Sequence, residues 1–222
     1  MTKLYQVDNA CVNVEVLIQG PIENNVYIIS DDSATLVVDP SSDANEIIAA
    51  LQGRSLDAII LTHAHWDHVG AAADLAAKTG ATVIASEIDG KVICGDVDPY
   101  GGTREFNPCA VEVFVQDGDV VKIGSMPWKV LATPGHTPGG ICLFLKPEFG
   151  SNPQGLPVLI SGDTLFAGSI GRTDFEGGSM DDMRASLKRL AFLPDDTLVL
   201  PGHNQLTTIG SERRRVFAHY AQ

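Results

Sequence analysis

The chain has little positive charge. Its 222 residues contain 15 Lys and Arg against 28 Asp and Glu, which gives a formal net charge of -13 at pH 7. Nucleic acids and anionic membrane surfaces attract basic patches, so this balance disfavours both as partners. The basic residues that are present include three arginines at positions 213–215, which we interpret as a solvent-exposed helix face.

Cysteine and long apolar runs are also scarce. The four cysteines, at positions 11, 94, 109 and 142, form no C-x-x-C pair, so we predict reduced thiols rather than a disulfide framework. We interpret Cys142, which lies in an apolar run, as a small buried hydrophobe. The N-terminus has no apolar signal-peptide core, and no run approaches the ~20 residues that span a bilayer. We therefore expect a cytoplasmic protein.

Histidine, in contrast, is concentrated in one place. His63, His65 and His68, with Asp67 among them, directly follow the apolar run of residues 58–61. Folding does not require four water-preferring side chains at the end of a buried strand. Imidazole nitrogen and carboxylate oxygen are ligands of first-row divalent metals. The cluster therefore predicts a metal site.

The remaining residues of ligand type also follow apolar strands. They are His136 after residues 128–132, Asp163 after residues 158–161 and His203 after residues 197–200. Groups at the strand ends of one sheet can converge on a single point, so we expect these residues to join the first cluster. Of the six histidines only His219 is left out, and we interpret it as a surface residue.

Short β-branched runs alternate with helical stretches, which predicts one α/β domain of stacked layers over residues 1–222. Predicted strands cover residues 14–18, 26–29, 36–38, 57–61, 82–85, 111–116, 120–123, 128–132, 141–145, 158–161 and 197–200. Predicted helices follow the capping residues Asp43 and Ser179, a third covers residues 70–79 and ends at Gly80, and a last one follows residues 207–211.

Two connections have distinctive composition. Residues 87–108 have no clear period and contain several Gly and Pro residues, so we predict a long surface excursion, and loops of that length in compact domains tend to be functional. The dipeptide at Asp117 and Gly118 lies between two predicted strands and indicates a β-hairpin.

The order and spacing of the ligand-type residues resemble the pattern of the metallo-β-lactamase-fold hydrolases. That pattern is His63-x-His65-x-Asp67-His68, then His136, Asp163 and His203. Within the superfamily the chain looks most like the glyoxalase II group, the hydroxyacylglutathione hydrolases, on residues 133–140, 161–174 and 201–203. The resemblance implies a four-layer αββα sandwich with metals at one edge between the sheets. It also implies a short branch without the C-terminal helical domain of longer glyoxalase II enzymes.

The resemblance further implies two divalent metal ions. One would be held by His63, His65 and His136, the other by Asp67, His68 and His203, with Asp163 bridging both. No cysteine belongs to the pattern. We expect zinc, and iron and manganese suit the same donors.

The implied reaction is hydrolysis of a thioester by a hydroxide that bridges the two metals, with S-lactoylglutathione or a related hydroxyacyl-thiol conjugate as substrate. Asp67 and Asp163 are the catalytic candidates: Asp67 would orient the hydroxide, and Asp163 would serve both metals. A thiolate leaves without prior protonation because thiols have a pKa near ~8.5. This favours small-molecule thioesters over β-lactams or peptides.

Two residues outside the ligand set are candidates for substrate contacts. Arg172 occupies the place where the longer enzymes use a basic residue for the thiol peptide, and a structural salt bridge is the competing interpretation. Asn204 directly follows the last ligand histidine, where the family has an aromatic residue. The sequence specifies no oligomeric state.

Two other functions fit the same fold. A persulfide dioxygenase shares the stretch 171–175 and would hold a single iron on His63, His136 and Asp163. A non-enzymatic thiol-metabolite binding protein is the third possibility, although such proteins usually lose ligands and this chain retains them all. The intact second ligand group favours hydrolysis over both alternatives.

Overall fold

The computed structural model describes residues 3–98 and 106–221, and its strands form two main sheets. The first sheet contains β1 (Lys3–Gln6), β2 (Asn13–Gln19), β3 (Asn24–Ser30), β4 (Thr35–Val38), β5 (Ala58–Leu61), β6 (Thr82–Ser86) and β7 (Val113–Val115), in that spatial order. Neighbouring strands are antiparallel from β1 to β4 and parallel from β4 to β7.

The second sheet has six strands and an attached two-stranded ribbon. In chain order these strands are β8 (Val120–Ile123), β9 (Met126–Ala132), β10 (Ile141–Leu145), β11 (Val158–Gly162), the ribbon β12 (Leu165–Phe166) and β13 (Ser169–Ile170), β14 (Leu198–Pro201) and β15 (Thr207–Thr208). The spatial order of the sheet is β15-β14-β11-β10-β9-β8. All of its pairs are antiparallel except β11 with β14.

The helices connect these strands. They are α1 (Ala44–Ala50), α2 (Trp66–Val69), α3 (Ala72–Thr79), α4 (Glu87–Ile93), α5 (Met180–Leu190), α6 (Ile209–Glu212) and α7 (Ala218–Tyr220), with a 3₁₀ turn at Pro147–Phe149 and a π-helical turn at Arg213–Phe217. The predicted caps are confirmed: Asp43 accepts from the N–H of Asn45 and Ser179 from that of Asp182. Among the described residues, no helix combines the length and the apolar character that a bilayer crossing needs.

The buried apolar residues form three clusters, one between the two sheets and one on the outer face of each sheet, and these clusters define the αββα sandwich. On β5, Ile60 belongs to the cluster between the sheets, whereas Ile59 and Leu61 belong to the cluster under α1 and α3. This alternation is the period of two that a strand buried on both faces must have. A third cluster packs the outer face of the second sheet against α5 through Met183 and Leu187. The predicted fold class is confirmed.

The predicted hairpin at Asp117 and Gly118 is wrong. The strand before it, β7, pairs with β6 in the first sheet, and the strand after it, β8, pairs with β9 in the second. Gly118 does adopt a positive φ of 86°, as its sequence suggested. A turn dipeptide sets local backbone angles, but the flanking strands pair with the longer partners that each sheet offers.

The predicted excursion over residues 87–108 is wrong in its first part. Residues Glu87–Ile93 form α4, and the Ser86 side chain caps it by accepting from the N–H of Asp89. The helix ends before Gly95, which has a positive φ of 80°. Residues 99–105 of this stretch lie outside the described part of the chain.

Candidate metal centre

Four loops that carry imidazole or carboxylate groups meet at one edge of the sandwich. The strands β9, β11 and β14 run in the same direction, because β9 and β11 are each antiparallel to β10 and β14 is parallel to β11. The fourth strand, β5, belongs to the other sheet. The backbone joins the sheets at this edge, since Ile141 N donates to Thr62 O (3.0 Å). The expectation of convergence within one sheet is therefore corrected: the groups converge between two sheets.

The first ligand group consists of His63, His65 and His136, all buried. One nitrogen of each lies within 4.8 Å of the others, and His65 Nδ1 is 2.8 Å from His136 Nε2. Burial and the neighbouring imidazoles lower the pKa of His65 to about 3 and hold the pKa of His63 well below its ordinary value. Both rings are therefore neutral at pH 7, which is the form that binds metal.

Hydrogen bonds outside this group assign the nitrogen that faces inward. His136 Nδ1 donates to Arg172 O (2.7 Å), which leaves its Nε2 with a lone pair. Thr62 Oγ1 donates its proton to Asp39 Oδ2 (2.6 Å), so it accepts from His63 Nδ1 (3.0 Å). The lone pair of His63 therefore lies on Nε2, which is buried and has no hydrogen-bond partner.

The second ligand group consists of Asp67, His68 and His203. Asp67 Oδ2 is 3.3 Å from the Nε2 atoms of both histidines, which are themselves 3.3 Å apart. The outer nitrogens are again engaged: His68 Nδ1 donates to Asp39 Oδ2 (2.9 Å) and His203 Nδ1 to Ile22 O (3.3 Å). In the neutral form of each ring, the inner nitrogen thus presents its lone pair to the same space as the carboxylate.

Electrostatics at the second group favour positive charge. Burial by itself raises the pKa of Asp67, but contacts with His68 and His203 outweigh burial and bring it below its usual range. Burial likewise lowers the pKa of His68, but the carboxylates of Asp163 and Asp67 outweigh it and raise that pKa well above its ordinary value. The carboxylates that stabilise a proton here would stabilise a divalent cation as well.

Asp163 lies between the two groups. Its Oδ1 is 3.4 Å from His68 Nε2, and its Oδ2 is 3.4 Å from His136 Nε2 and 3.5 Å from His203 Nε2. Oδ1 is buried and has no hydrogen-bond partner. Such an atom costs about 1–3 kcal/mol, and coordination of a cation would remove that cost. The seven predicted residues, which offer only nitrogen and oxygen, fit a two-metal centre.

Asp39 and Asn24, which contact ligand side chains from behind, were not predicted from the sequence. Asp39 follows β4 with a φ of 51° and accepts from Thr62 N (2.8 Å) as well as from His68. Asn24 donates from Nδ2 to Asp67 Oδ2 (2.8 Å). Asp39 is a carboxylate directly after an apolar strand, as Asp163 is, so the sequence carried the signal that could have identified it. For Asn24, at the start of a strand, the sequence carried no such signal.

A cavity of about 520 Å³ opens onto the metal centre. The two predicted substrate residues both line it. Arg172 forms a double hydrogen bond with Asp174 (2.8 Å each) and stacks on the Phe175 ring at 3.7 Å, so the salt bridge and the place in the cavity coexist. Asn204 has a φ of 66°, and its carbonyl accepts from Asn25 Nδ2 (3.0 Å), which fixes this wall of the cavity.

The residues that were assigned no role lie away from the centre. His219 is exposed, as predicted. Cys142 is fully buried, and burial raises the pKa of its thiol to about 11. Both interpretations are confirmed, and neither side chain faces the cavity.

A two-sheet sandwich with a histidine and aspartate cluster at one edge is the architecture of a metallo-hydrolase. The chain belongs to the metallo-beta-lactamase superfamily, whose family model matches residues 20–203.

The curated relatives include the hydroxyacylglutathione hydrolase GloC of Haemophilus influenzae. It is 31% identical over 213 residues, which cover 91% of this chain and 96% of GloC. Among solved structures, TTHA1623 in a di-iron-bound form has a TM-score of 0.74 and 33% identity over 89% of this chain and 96% of its own. ETHE1 from Myxococcus xanthus has a TM-score of 0.72 and 30% identity over 94% and 84% of the two chains. These similarities are consistent with the short glyoxalase II-like branch.

Proposed function

We propose that the protein is a metal-dependent thioester hydrolase, with S-lactoylglutathione or a related hydroxyacyl-thiol conjugate as its substrate. One observation carries the proposal: two complete ligand groups share Asp163, whose two oxygens lie 3.4–3.5 Å from histidines of both groups. Similarity to a hydroxyacylglutathione hydrolase over nearly the whole chain supports the substrate class.

The residues of the centre account for each requirement of the reaction. Two divalent cations, when bound, supply the Lewis acidity that lowers the pKa of water and offsets charge on a carbonyl oxygen. Asp67 is held by the Asn24 amide, so its carboxylate is fixed in orientation and can accept a hydrogen bond from the attacking water. The thiolate product needs no acid, because thiols ionise near pH ~8.5.

The cavities provide room for both halves of the substrate. The cavity at the metal centre would take the acyl group and the thioester bond. A second cavity of about 730 Å³ shares the residues Ile22 and Asn204 with the first, and is lined by Gln205 and Arg215. A peptide-like thiol carrier with amide and carboxylate groups suits that lining. Arg215 belongs to the arginine run at residues 213–215, which we interpreted from the sequence as a solvent-exposed helix face.

We propose zinc as the resident metal. All donors are nitrogen or oxygen, which suits zinc, iron and manganese alike, and the similarity to a protein with a di-iron form supports iron as the competing choice. The setting proposed for the reaction is the cytoplasm, because the four free cysteines suit a reducing compartment.

A persulfide dioxygenase is the second candidate. The observation that favours it is the position of residues 171–175: Arg172 O accepts from His136 Nδ1, and the side chains of Arg172 and Phe175 line the cavity. In that reaction a single iron would be held by His63, His136 and Asp163, and the second ligand group would have no use.

Metal analysis beside a substrate panel separates these functions. We expect about two metal ions per chain and rapid hydrolysis of S-lactoylglutathione, abolished by a chelator and restored by metal. Oxygen uptake with glutathione persulfide, together with one iron per chain, would establish the dioxygenase instead. Faster turnover of a β-lactam than of any thioester would contradict the proposed substrate class, and full activity of metal-free protein would contradict the mechanism.

A further inference from the structure

The short helix α4 places a carboxylate in the core beside the metal centre. Asp89 is 1% exposed, and its backbone N–H donates to the capping side chain of Ser86 (3.2 Å). Neither ligand group includes Asp89, and the proposed reaction does not use it. Its contacts nevertheless point to the centre.

The Asp89 carboxylate accepts three hydrogen bonds from the two loops of the first ligand group. Oδ2 accepts from Ala64 N (2.9 Å) and from Thr137 Oγ1 (2.8 Å), and Oδ1 accepts from Gly139 N (2.8 Å). Ala64 lies between the two ligand histidines of one loop, and Thr137 directly follows the ligand histidine of the other. One side chain therefore ties a loop of the first sheet to a loop of the second.

The contact between Asp89 and the second loop is close. A Cβ atom on Gly139 would lie 2.3 Å from Asp89 Oδ1 and 2.5 Å from its backbone nitrogen. Only glycine admits this approach. Hydrogen bonds to a carboxylate are about twice as strong as neutral ones, and here they are shielded from water because Ala64 and Thr137 are also buried.

We propose that Asp89 is a positioning residue, which fixes the separation of the two loops and so preorganises His63, His65 and His136 for their metal ion. It acts through the backbone of both loops and the Thr137 hydroxyl. The proposal rests on the two-metal centre and not on the identity of the substrate. The second ligand group is oriented by other residues, so loss of the Asp89 carboxylate should weaken one metal position and spare the other.

The test is an Asp89→Asn variant, titrated with Co²⁺ after removal of metal from the full-length protein. Asparagine keeps the size and one acceptor oxygen, but turns an NH₂ group toward an N–H or O–H donor. We expect wild type to bind two Co²⁺ tightly. In the variant, one binding step should weaken by about 10–100-fold, the range typical of residues that support metal ligands, and the visible Co²⁺ bands of that step should change.

Asp31→Asn is the matched control. Asp31 also accepts from backbone N–H groups, those of Ser33 and Ala34 (2.7 and 2.8 Å), and from Ser125 N (2.9 Å). Asp31 directly follows one end of β3, and Asn24, which contacts the metal centre, lies at the other end. At ~3.3 Å per residue along the strand, Asp31 is about 20 Å from the metal centre. Both variants should lower the melting temperature of metal-free protein, but only Asp89→Asn should weaken Co²⁺ binding.

A milder variant keeps the test decisive if Asp89→Asn does not fold. Thr137→Val removes one of the three donors that these two loops supply and preserves shape, and should weaken the same Co²⁺ step by a smaller factor. Wild-type Co²⁺ affinity at both positions in either folded variant would overturn the proposal. Uptake of a single Co²⁺ by wild type would overturn the two-metal centre itself, and this proposal with it.

Discussion

The two ends of the sandwich use buried or half-buried carboxylates for different purposes. At the far end, Asp31 accepts from the backbone of Ser33 and Ser125 and closes a turn against the neighbouring sheet. At the metal end, Asp39 accepts from both the backbone and an imidazole, His68. The chemistry of the acceptor is the same, but its donors differ.

This difference explains how a stable scaffold carries a reactive site. The carboxylate at the far end satisfies nearby donors, and what it contributes is folding free energy. The carboxylate at the metal end engages the outer nitrogen of the His68 ring, so the inner nitrogen is the one that carries the lone pair when the ring is neutral. His63 Nε2 and Asp163 Oδ1 are buried and have no hydrogen-bond partner. That arrangement is unfavourable alone and favourable around a cation.

The largest effect is expected at Asp163, whose carboxylate lies near histidines of both ligand groups. Asp163→Ala should reduce thioester hydrolysis by on the order of 10³-fold or more, exceeding the roughly 10–100-fold typical of residues behind the ligands. Cys142→Ala, a buried change on the neighbouring strand β10, should leave activity near that of wild type. Steady-state kinetics measure both. Similar activity in the two variants would contradict the bridging role.

The next effect compares the carboxylates at the two ends. Asp39→Asn should lower kcat/KM by about 10–100-fold, because His68 loses the acceptor that orients its ring. Asp31→Asn should leave kcat/KM unchanged and lower the free energy of unfolding by about 1–3 kcal/mol. Denaturant titrations run beside the kinetics separate the two quantities. Loss of stability without loss of activity in Asp39→Asn would remove the functional distinction between the ends.

A smaller effect is expected at the mouth of the site. Arg215→Ala should raise KM for S-lactoylglutathione about 5-fold, the factor that corresponds to about 1 kcal/mol for an exposed ion pair. It should leave KM unchanged for a lactoyl thioester whose carrier lacks carboxylates. Arg214→Ala, the exposed neighbour on the same turn, is the control. Equal effects of Arg215→Ala on both substrates would contradict carrier binding in the second cavity.

The smallest effect concerns acid stability at the far end. Burial by itself raises the pKa of Asp31, but hydrogen bonds from Ser125 and Ser33 outweigh it and lower the pKa from 3.8 to about 2. A lowered folded pKa means that the stabilisation is complete above about pH 4 and disappears as the pH falls through about 2. The difference in unfolding free energy between wild type and Asp31→Asn should therefore shrink over that window. A constant difference would contradict the assignment.

The fold and the ligands were predictable to different depths. The continuous apolar run at residues 58–61 and the Asp43 and Ser179 caps are local signals, so the strand and the helices that depend on them were found. The strand pairing on either side of the Asp117 turn was predicted wrongly, because the partner of a strand depends on the length and register of the whole sheet. The helix at Glu87–Ile93 was missed for a related reason: glycine in its centre hides a helix that packing stabilises.

The sequence by itself determined which residues could hold metal, because imidazole and carboxylate groups placed after apolar strands have few other uses. Tertiary structure decided how they would do so. Which nitrogen of His136 faces inward depends on a carbonyl 36 residues away, and Asp89 joins loops 75 residues apart. A hydrogen bond is directional and short, so the groups that aim a ligand are chosen by proximity in space, which no local pattern along the chain encodes.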